Sequence, residues 1–257
     1  MSKYKNKWTW KRSRTLFILK VVWKWLQGRP SPLYSPGVHL IHGVSGAGKT
    51  LLMNIIMRSI IKRDGFAWCN IHEFYHDRAM TFDLDTLFDK GKQVKRLNKF
   101  ITDKDGKKHR CKLVIIDEVN QKFNKRMNRS QEYNDKFIPL ISMVITHRHQ
   151  VSDRVYLIGQ SFLMQDGQLQ SIMKLRHEVS SSKRWRYYWF RELDQFLYLP
   201  KYLKVIHFMN DGIDNNGVIL WKKMLTKSKI KVDPIDIMTY DTHAFAELFK
   251  DLPEYLG

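Results

Sequence analysis

Short apolar runs alternate with amphipathic and polar stretches along this chain. Residues 38–42, 66–71, 113–116 and 155–158 are almost wholly apolar, and residues 138–146 add a longer apolar stretch. Runs this short with little polar interruption fit strands buried on both faces. Residues 50–62 carry their apolar positions at helical spacing and are expected as a helix. Strands alternating with helical segments predict an α/β fold, a mainly parallel doubly wound sheet flanked by helices.

The front of the chain follows another pattern. If residues 13–27 are helical, Leu16, Leu19, Trp23 and Leu26 share one face, while Lys20, Lys24 and Gln27 share another. Residues 4–27 set Trp8, Trp10, Trp23 and Trp25 among Lys and Arg. That is the composition of a basic amphipathic helix lying on an anionic membrane surface with snorkelling lysines. It also suits a helix docked on the domain with its basic face in water, or a subunit contact. Pro30, Pro32 and Pro36 then mark a linker. No run of eighteen apolar residues occurs, so no spanning helix is expected. The expected division is a basic Trp-rich segment and linker at 1–37, a core at 38–205 with a basic insert at 90–112, and a C-terminal extension at 206–257 packed on the core. Within the insert, Asp103-Lys104-Asp105-Gly106 reads as a hairpin turn.

Composition adds the nature of the partner. Lys and Arg number 45 against 25 Asp and Glu, a formal net charge of +20. Such an excess calls for an anionic partner, either nucleic acid or a lipid surface. Cys69 and Cys111 sit in apolar runs, which fits a reducing compartment and no disulfide framework.

The chemistry is concentrated in two motifs. Gly43-Val44-Ser45-Gly46-Ala47-Gly48-Lys49-Thr50 fits the G-x-x-x-x-G-K-[ST] phosphate-binding loop between an apolar strand and a helix. Its backbone N–H groups and the helix N-terminus are expected to cradle the phosphates of ATP. Lys49 is expected to reach the β and γ phosphates, and the Thr50 hydroxyl to bind Mg²⁺. Residues 113–118, Leu-Val-Ile-Ile-Asp-Glu, form an apolar strand ending in two carboxylates. In that reading the strand lies beside the loop, Asp117 holds Mg²⁺ through water, and Glu118 polarises the attacking water as general base. A Glu after the Asp favours hydrolysis over transfer to an acceptor. Gln160, ending the apolar run 155–158, is expected either to sense the γ-phosphate or simply to cap its strand.

These residues resemble the zonular occludens toxin-like assembly ATPases of filamentous phages, which share the additional-strand P-loop core of RecA- and FtsK-like DNA-pumping motors. The resemblance rests on Leu40-Ile41-His42, Cys69-Asn70-Ile71, Ile115-Ile116-Asp117-Glu118 and above all Thr146-His147-Arg148-His149-Gln150, continuing through Asp153 to Gln160. Tyr240-Asp241-Thr242 adds to it, so that the similarity spans roughly 38–242. Many members continue into a transmembrane helix and periplasmic tail, which these residues do not contain.

By itself, His147-Arg148-His149 is a poor metal chelate, because alternate residues of a strand face opposite ways. Two readings stand: a local structural role before Val155, or Arg148 contacting phosphate in its own subunit or a neighbour's. Arg154 and Arg176 are further candidates for that cation. For nucleic acid, residues 183–191 mix cations and aromatics as single-strand binders do, or form a packed aromatic strand. The charges of 90–112 and 122–129 are better placed electrostatically.

The expected function is therefore an ATP-hydrolysing motor of a phage or virus, acting in virion assembly, genome packaging or DNA export. It is expected to work as a homo-oligomeric ring, with single-stranded DNA and phage structural proteins as partners. The expected location is the host cytoplasm, its inner-membrane surface or the virion. A small-molecule phosphotransferase and a nucleotide-switched membrane scaffold are the rival classes.

Overall fold

The computed structural model describes residues 31–61, 65–72, 74, 76–84, 88–89, 92–93, 97–119, 131–160, 167–182, 185–190, 195–233 and 236. The Trp-rich segment at 4–27, the basic run 122–129, part of the 90–112 insert, Lys183, Arg184 and Arg191, and Tyr240-Asp241-Thr242 lie outside them. Residues 1–35 and 36–257 form two compact units. In the first, Ser31 caps a single 3₁₀ turn at Pro32–Tyr34.

The second unit is built on one sheet with nine strands among the described residues. Its parallel part comprises β1 (Gly37–His42), β2 (Phe66–Cys69), β3 (Ala79–Thr81), β7 (Lys108–Ile116), β8 (Arg154–Gly159) and β9 (Leu175–Ser181). β12 (Tyr202–Ile213) and β13 (Ile219–Lys231) extend it antiparallel beyond β9, and β6 (Phe100–Thr102) pairs antiparallel with β7. The order is β13-β12-β9-β1-β8-β7-β2-β3. Two small antiparallel pairs stand apart, β4 (Phe88–Asp89) with β5 (Lys92–Gln93), and β10 (Trp185–Phe190) with β11 (Gln195–Pro200). The helices are α1 (Lys49–Ile61), α2 (Gln131–Gln150) and the short α3 (Gly167–Ile172).

Three expectations change. First, the acidic strand is not the sheet neighbour of the phosphate-loop strand, because the additional strand that the resemblance implied stands between them. β8 is inserted between β1 and β7 and pairs with both, Val155 meeting Val38 on one side and Val114 on the other. Second, β7 begins at Lys108, inside the expected basic insert. His109, Cys111 and Leu113 are buried there, while Lys108, Arg110 and Lys112 alternate outward, so the lysines and arginines belong to a half-buried strand. The expected turn is present, with Asp103 accepting from the amides of Asp105 and Lys107. Third, residues 138–146 are helical. Phe137, Leu140, Ile141, Val144 and His147 are buried at helical spacing, whereas Ile138 and Ile145 are exposed. Pro139 lies inside this helix, where a missing N–H argues locally against it; burial of that apolar face prevails.

The core on the α2 side joins Leu40, Val114, Ile116, Val155 and Leu157 of the sheet to Phe137, Leu140 and Val144. A buried polar row also crosses four strands. His39 Nδ1 meets His177 Nε2 at 2.9 Å, His177 Nδ1 meets His207 Nδ1 at 2.8 Å, and His207 Nε2 meets Ser228 Oγ at 2.7 Å. His39 also stacks on Tyr156 at 4.8 Å. These rings satisfy one another only while the chain of bonds is closed, because a buried polar group without a partner is costly. The sequence boundary expected at 205/206 falls within β12, which runs through it unbroken.

Candidate functional site

The phosphate loop leaves β1 at His42 and enters α1 at Lys49. Close packing explains two of its glycines. A Cβ on Gly43 would stand 2.6 Å from the carbonyl oxygen of Val179, on the neighbouring β9. Gly48 has φ +86, and a Cβ there would meet a terminal methyl of Leu203 at 2.8 Å, so a larger residue would hold a strained backbone and push the Leu203 side chain aside. The crown of the loop is open, with Val44 77% exposed.

Lys49 curls back over this loop. Its Nζ donates to the carbonyls of Gly43 and Val44, each at 3.0 Å. Burial lowers its pKa, and the Asp117 carboxylate works in the opposite sense. The two motifs are thus within electrostatic reach across β8, as nucleotide chemistry requires. Directly before the loop, His42 is pushed down to about 4, first by burial and then by the charges of Arg176 and Lys49. It is held neutral under the cationic loop.

The turn after β7 is tightly organised. The Asp117 amide donates to Asn70 Oδ1 at 2.7 Å, and Asn70 Nδ2 donates to the Asp117 carbonyl at 3.3 Å. The Glu118 amide donates to Asp117 Oδ1 at 2.6 Å. Glu118 has φ 59, the one positive value at a non-glycine among the described residues. Such a conformation costs on the order of 1–3 kcal/mol and gathers at functional sites. Its side chain is exposed. Asn70 is the residue that sequence reasoning left without a role: it was visible in Cys69-Asn70-Ile71, but only the pairing of β2 with β7 shows that it holds the acidic turn.

Gln160 follows Gly159, which pairs with His42, so it emerges exposed at the same sheet edge as the loop. The structure therefore brings Lys49, Thr50, Asp117, Glu118 and Gln160 to the carboxyl ends of β1, β7 and β8. Arg148 is placed elsewhere. It is exposed in the last turn of α2, before β8 begins opposite Gly37, a strand length of roughly 20 Å from the loop. Its neighbour His147 is buried, bonds the Val144 carbonyl through Nδ1, and is kept neutral mainly by burial. The His147 carbonyl accepts from the amides of Val151 and Ser152, so the helix end is closed by its own backbone. Asp153 takes two bonds from Arg110 Nη2, both 2.9 Å. Arg154 begins β8 at this same far edge. Arg176 lies 4.2 Å over Phe208 and 5.3 Å over Trp221, a pair of cation–π contacts.

For Mg²⁺, Thr50 and Asp117 supply a hydroxyl and a carboxylate, the hard oxygen donors this ion takes together with substrate phosphates and water. The Asp117 carboxylate is close enough to Lys49 to act on its charge, which sets it on the phosphate-loop side of the sheet. The donor set fits the ion. Among the described residues no cluster of His, Cys, Asp and Glu forms a separate metal site, and no helix is long and apolar enough to cross a membrane.

Comparison with known proteins places residues 36–216 on the family model described as the Schlafen group 3, DNA/RNA helicase domain. An uncharacterised 37.2 kDa protein of Acholeplasma phage L2 is 30% identical over 251 residues, covering 92% of this chain and 77% of the relative. Among solved structures, the N-terminal domain of zonular occludens toxin from Neisseria meningitidis is similar at 16% identity and a TM-score of 0.48, covering 80% of this chain and 100% of that one. The genome packaging NTPase B204 of Sulfolobus turreted icosahedral virus 2 aligns at 11% identity and a TM-score of 0.37, covering 74% and 98%.

Proposed function

The chain belongs to the Schlafen group 3 DNA/RNA helicase domain family, and from that premise we propose that it is an ATP-hydrolysing nucleic-acid motor of a phage, acting in virion assembly, genome packaging or export. The observation that carries this reading is the placement of β8. It sets a polar Gln160 between the phosphate loop and the acidic turn, the arrangement by which a motor couples phosphate loss to movement. A phosphotransferase has no need of it.

The residues divide the work. Loop amides and the N-terminus of α1 bind the β and γ phosphates. Lys49 exchanges its two loop carbonyls for phosphate oxygens, so its charge is already at the right depth when ATP arrives. Glu118 takes a proton from the attacking water as the bond between the γ-phosphorus and the β–γ bridging oxygen breaks, and ADP carries away that oxygen. Asn70 positions the turn from which Asp117 and Glu118 act. Gln160 contacts the γ-phosphate and reports its loss along β8. Mg²⁺, held by Thr50 and Asp117, would neutralise developing charge on the phosphates. Arg148 acts, if on phosphate, on that of a neighbouring subunit in a ring, since its own loop is a strand length away.

The test is ATP turnover with and without single- and double-stranded DNA. Stimulation by nucleic acid, abolished in Glu118→Gln while ATP binding persists, is the expected result. Turnover that ignores nucleic acid over a range of salt would sink the motor.

A further inference from the structure

The expected nucleic-acid contacts were the 90–112 insert, 122–129 and 183–191, but a row of exposed lysines also runs along β12 and β13, with Glu178 of β9 as an exposed carboxylate on the same face, opposite Ile206. Register places Tyr202 opposite Lys231, Lys204 opposite Lys229, and Ile206 opposite Lys227. Directly paired residues share a face, so Lys204, Lys227, Lys229 and Lys231 stand on one side of this two-stranded ribbon. The other side is its packing side: Leu203, Val205 and His207 are buried, and Ser228 closes the histidine row there. The lysines are exposed. Lys231 is balanced by Asp233 at 2.7 Å, and Lys229 lies 5.6 Å from the centre of the Tyr202 ring.

This arrangement opposes stability. Like charges directly across an antiparallel pair are unfavourable, and Lys204–Lys229 is such a pair. Lysines on β13 alone would be explained by the need to keep an edge strand from pairing with other chains. Lys204 is not on the edge. It lies on β12, which has β9 on one side and β13 on the other. A row that exceeds edge protection and repels itself is relieved by a polyanion laid along it. Successive same-face lysines on β13 are spaced by about 6.7 Å, two strand residues, so one extended backbone could meet several in turn. The ribbon also reaches the nucleotide site, because Leu203, the neighbour of both Tyr202 and Lys204, packs against Gly48.

We propose that the solvent face of β12 and β13, with Lys204, Lys227 and Lys229 as its contacts, is a track for the phosphodiester backbone of a nucleic-acid strand. The proposal deepens the motor reading and rests on it. It names the surface that holds the cargo, and through Leu203 it gives that surface a direct mechanical link to the phosphate loop.

The experiment uses the full chain and a fluorescent oligothymidylate, followed by anisotropy over a salt series. The variant is Lys204→Gln/Lys227→Gln/Lys229→Gln. A matched variant, Lys104→Gln/Lys107→Gln/Lys108→Gln, removes the same charge from the exposed turn at 103–108. The track variant should lose affinity on the order of tenfold or more, with the slope of log affinity against log salt reduced by about 2, as expected for three lost phosphate contacts on a single strand. The matched variant should change the slope by much less. Equal losses in both variants would show diffuse charge attraction and overturn the track. So would unchanged oligonucleotide binding, including the case where only flotation with phosphatidylserine vesicles is lost. ATP turnover measured without nucleic acid separates the two readings. A track variant with normal basal turnover but lost DNA stimulation supports the proposal, whereas a wild-type chain that hydrolyses no ATP removes the motor reading whatever the oligonucleotide does.

Discussion

At the carboxyl ends of β1, β7 and β8, Lys49 is folded onto loop carbonyls, Glu118 holds a left-handed backbone and Gln160 is exposed. At the amino ends of the same strands, Arg110 grips Asp153 and His147 is buried against its own helix. Both edges carry residues that look like chemistry in the sequence. Only the first combines strain, partly buried charge and access. The second ties Arg110 Nη2 to Asp153 and His147 Nδ1 to the Val144 carbonyl. It leaves Arg110 Nε and His147 Nε2 buried without a partner, and its described residues show no backbone strain. What separates the two edges is the strained backbone at Glu118 beside the open loop of Lys49, which has no counterpart at the far edge among the described residues.

The largest effects should sharpen that contrast at the first edge. Lys49→Ala removes the one cation described at the loop and should lower turnover by about 10²–10³ through weakened transition-state binding. Glu118→Gln should lower it by a similar or larger factor, about 10²–10⁴, with ATP affinity retained. Glu118→Gly adds a finer cut. It should lose turnover equally but unfold no more easily than wild type, because glycine accepts φ 59 without the Cβ penalty. A marked drop in melting temperature for the glycine variant would mean that the Glu118 side chain serves the fold.

Asn70→Ala should come next. It takes away both bonds to the Asp117 peptide, so the turn loosens while every reacting group remains. Turnover should fall by roughly tenfold, and half-maximal activity should need more Mg²⁺, as for an outer partner of a metal ligand. An unchanged Mg²⁺ requirement with reduced thermal stability would make Asn70 a purely structural brace.

Between the edges, the histidines give a pH dependence with a definite sign. Burial lowers His177 well below its ordinary value, and lowers His207 and His42 to about 4. Their unfolded values lie near 6.5, so below that pH the unfolded chain binds more protons than the folded one. Their contribution to stability is present above about 6.5 and is lost as pH falls from there toward 4. Urea midpoints should decline across that window, and His207→Gln should flatten the decline. A midpoint that holds steady down to pH about 4.5 would show that the row accepts protons without opening.

Much of the candidate site was legible because its signals are local. The phosphate loop and the acidic pair each occupy consecutive residues, and backbone conformation at glycine ties sequence directly to shape. What escaped depended on partners distant in sequence. The insertion of β8 between β1 and β7 is a matter of topology, which apolar runs do not encode and only the family resemblance implied. Residues 138–146 looked like another buried run, with Pro139 against a helix, until the spacing of Phe137, Leu140, Ile141, Val144 and His147 was matched to a face that packs on the sheet. Asn70 is polar, short and follows a strand, which describes many loop residues. Lys204 and Lys229 lie 25 positions apart, and only register makes them neighbours.

The smallest effect is the most searching test of the far edge. Arg110 and Asp153 are about 40% exposed, at 40% and 42%, and pairs so accessible to water contribute at most about 1 kcal/mol. The Asp153 carbonyl, which accepts from the Gly37 amide at 2.9 Å, belongs to the backbone and survives any substitution. Asp153→Asn keeps one acceptor for Arg110 and removes the charge. It should cost under about 1 kcal/mol in urea unfolding and leave turnover per subunit unaltered, with or without DNA. If Asp153 instead served a neighbouring subunit's phosphate site, together with Arg148, the same variant would lose turnover at high protein concentration while its stability barely moved. That outcome would turn the quiet edge into half of an active site and undo the distinction between the two ends of the strands.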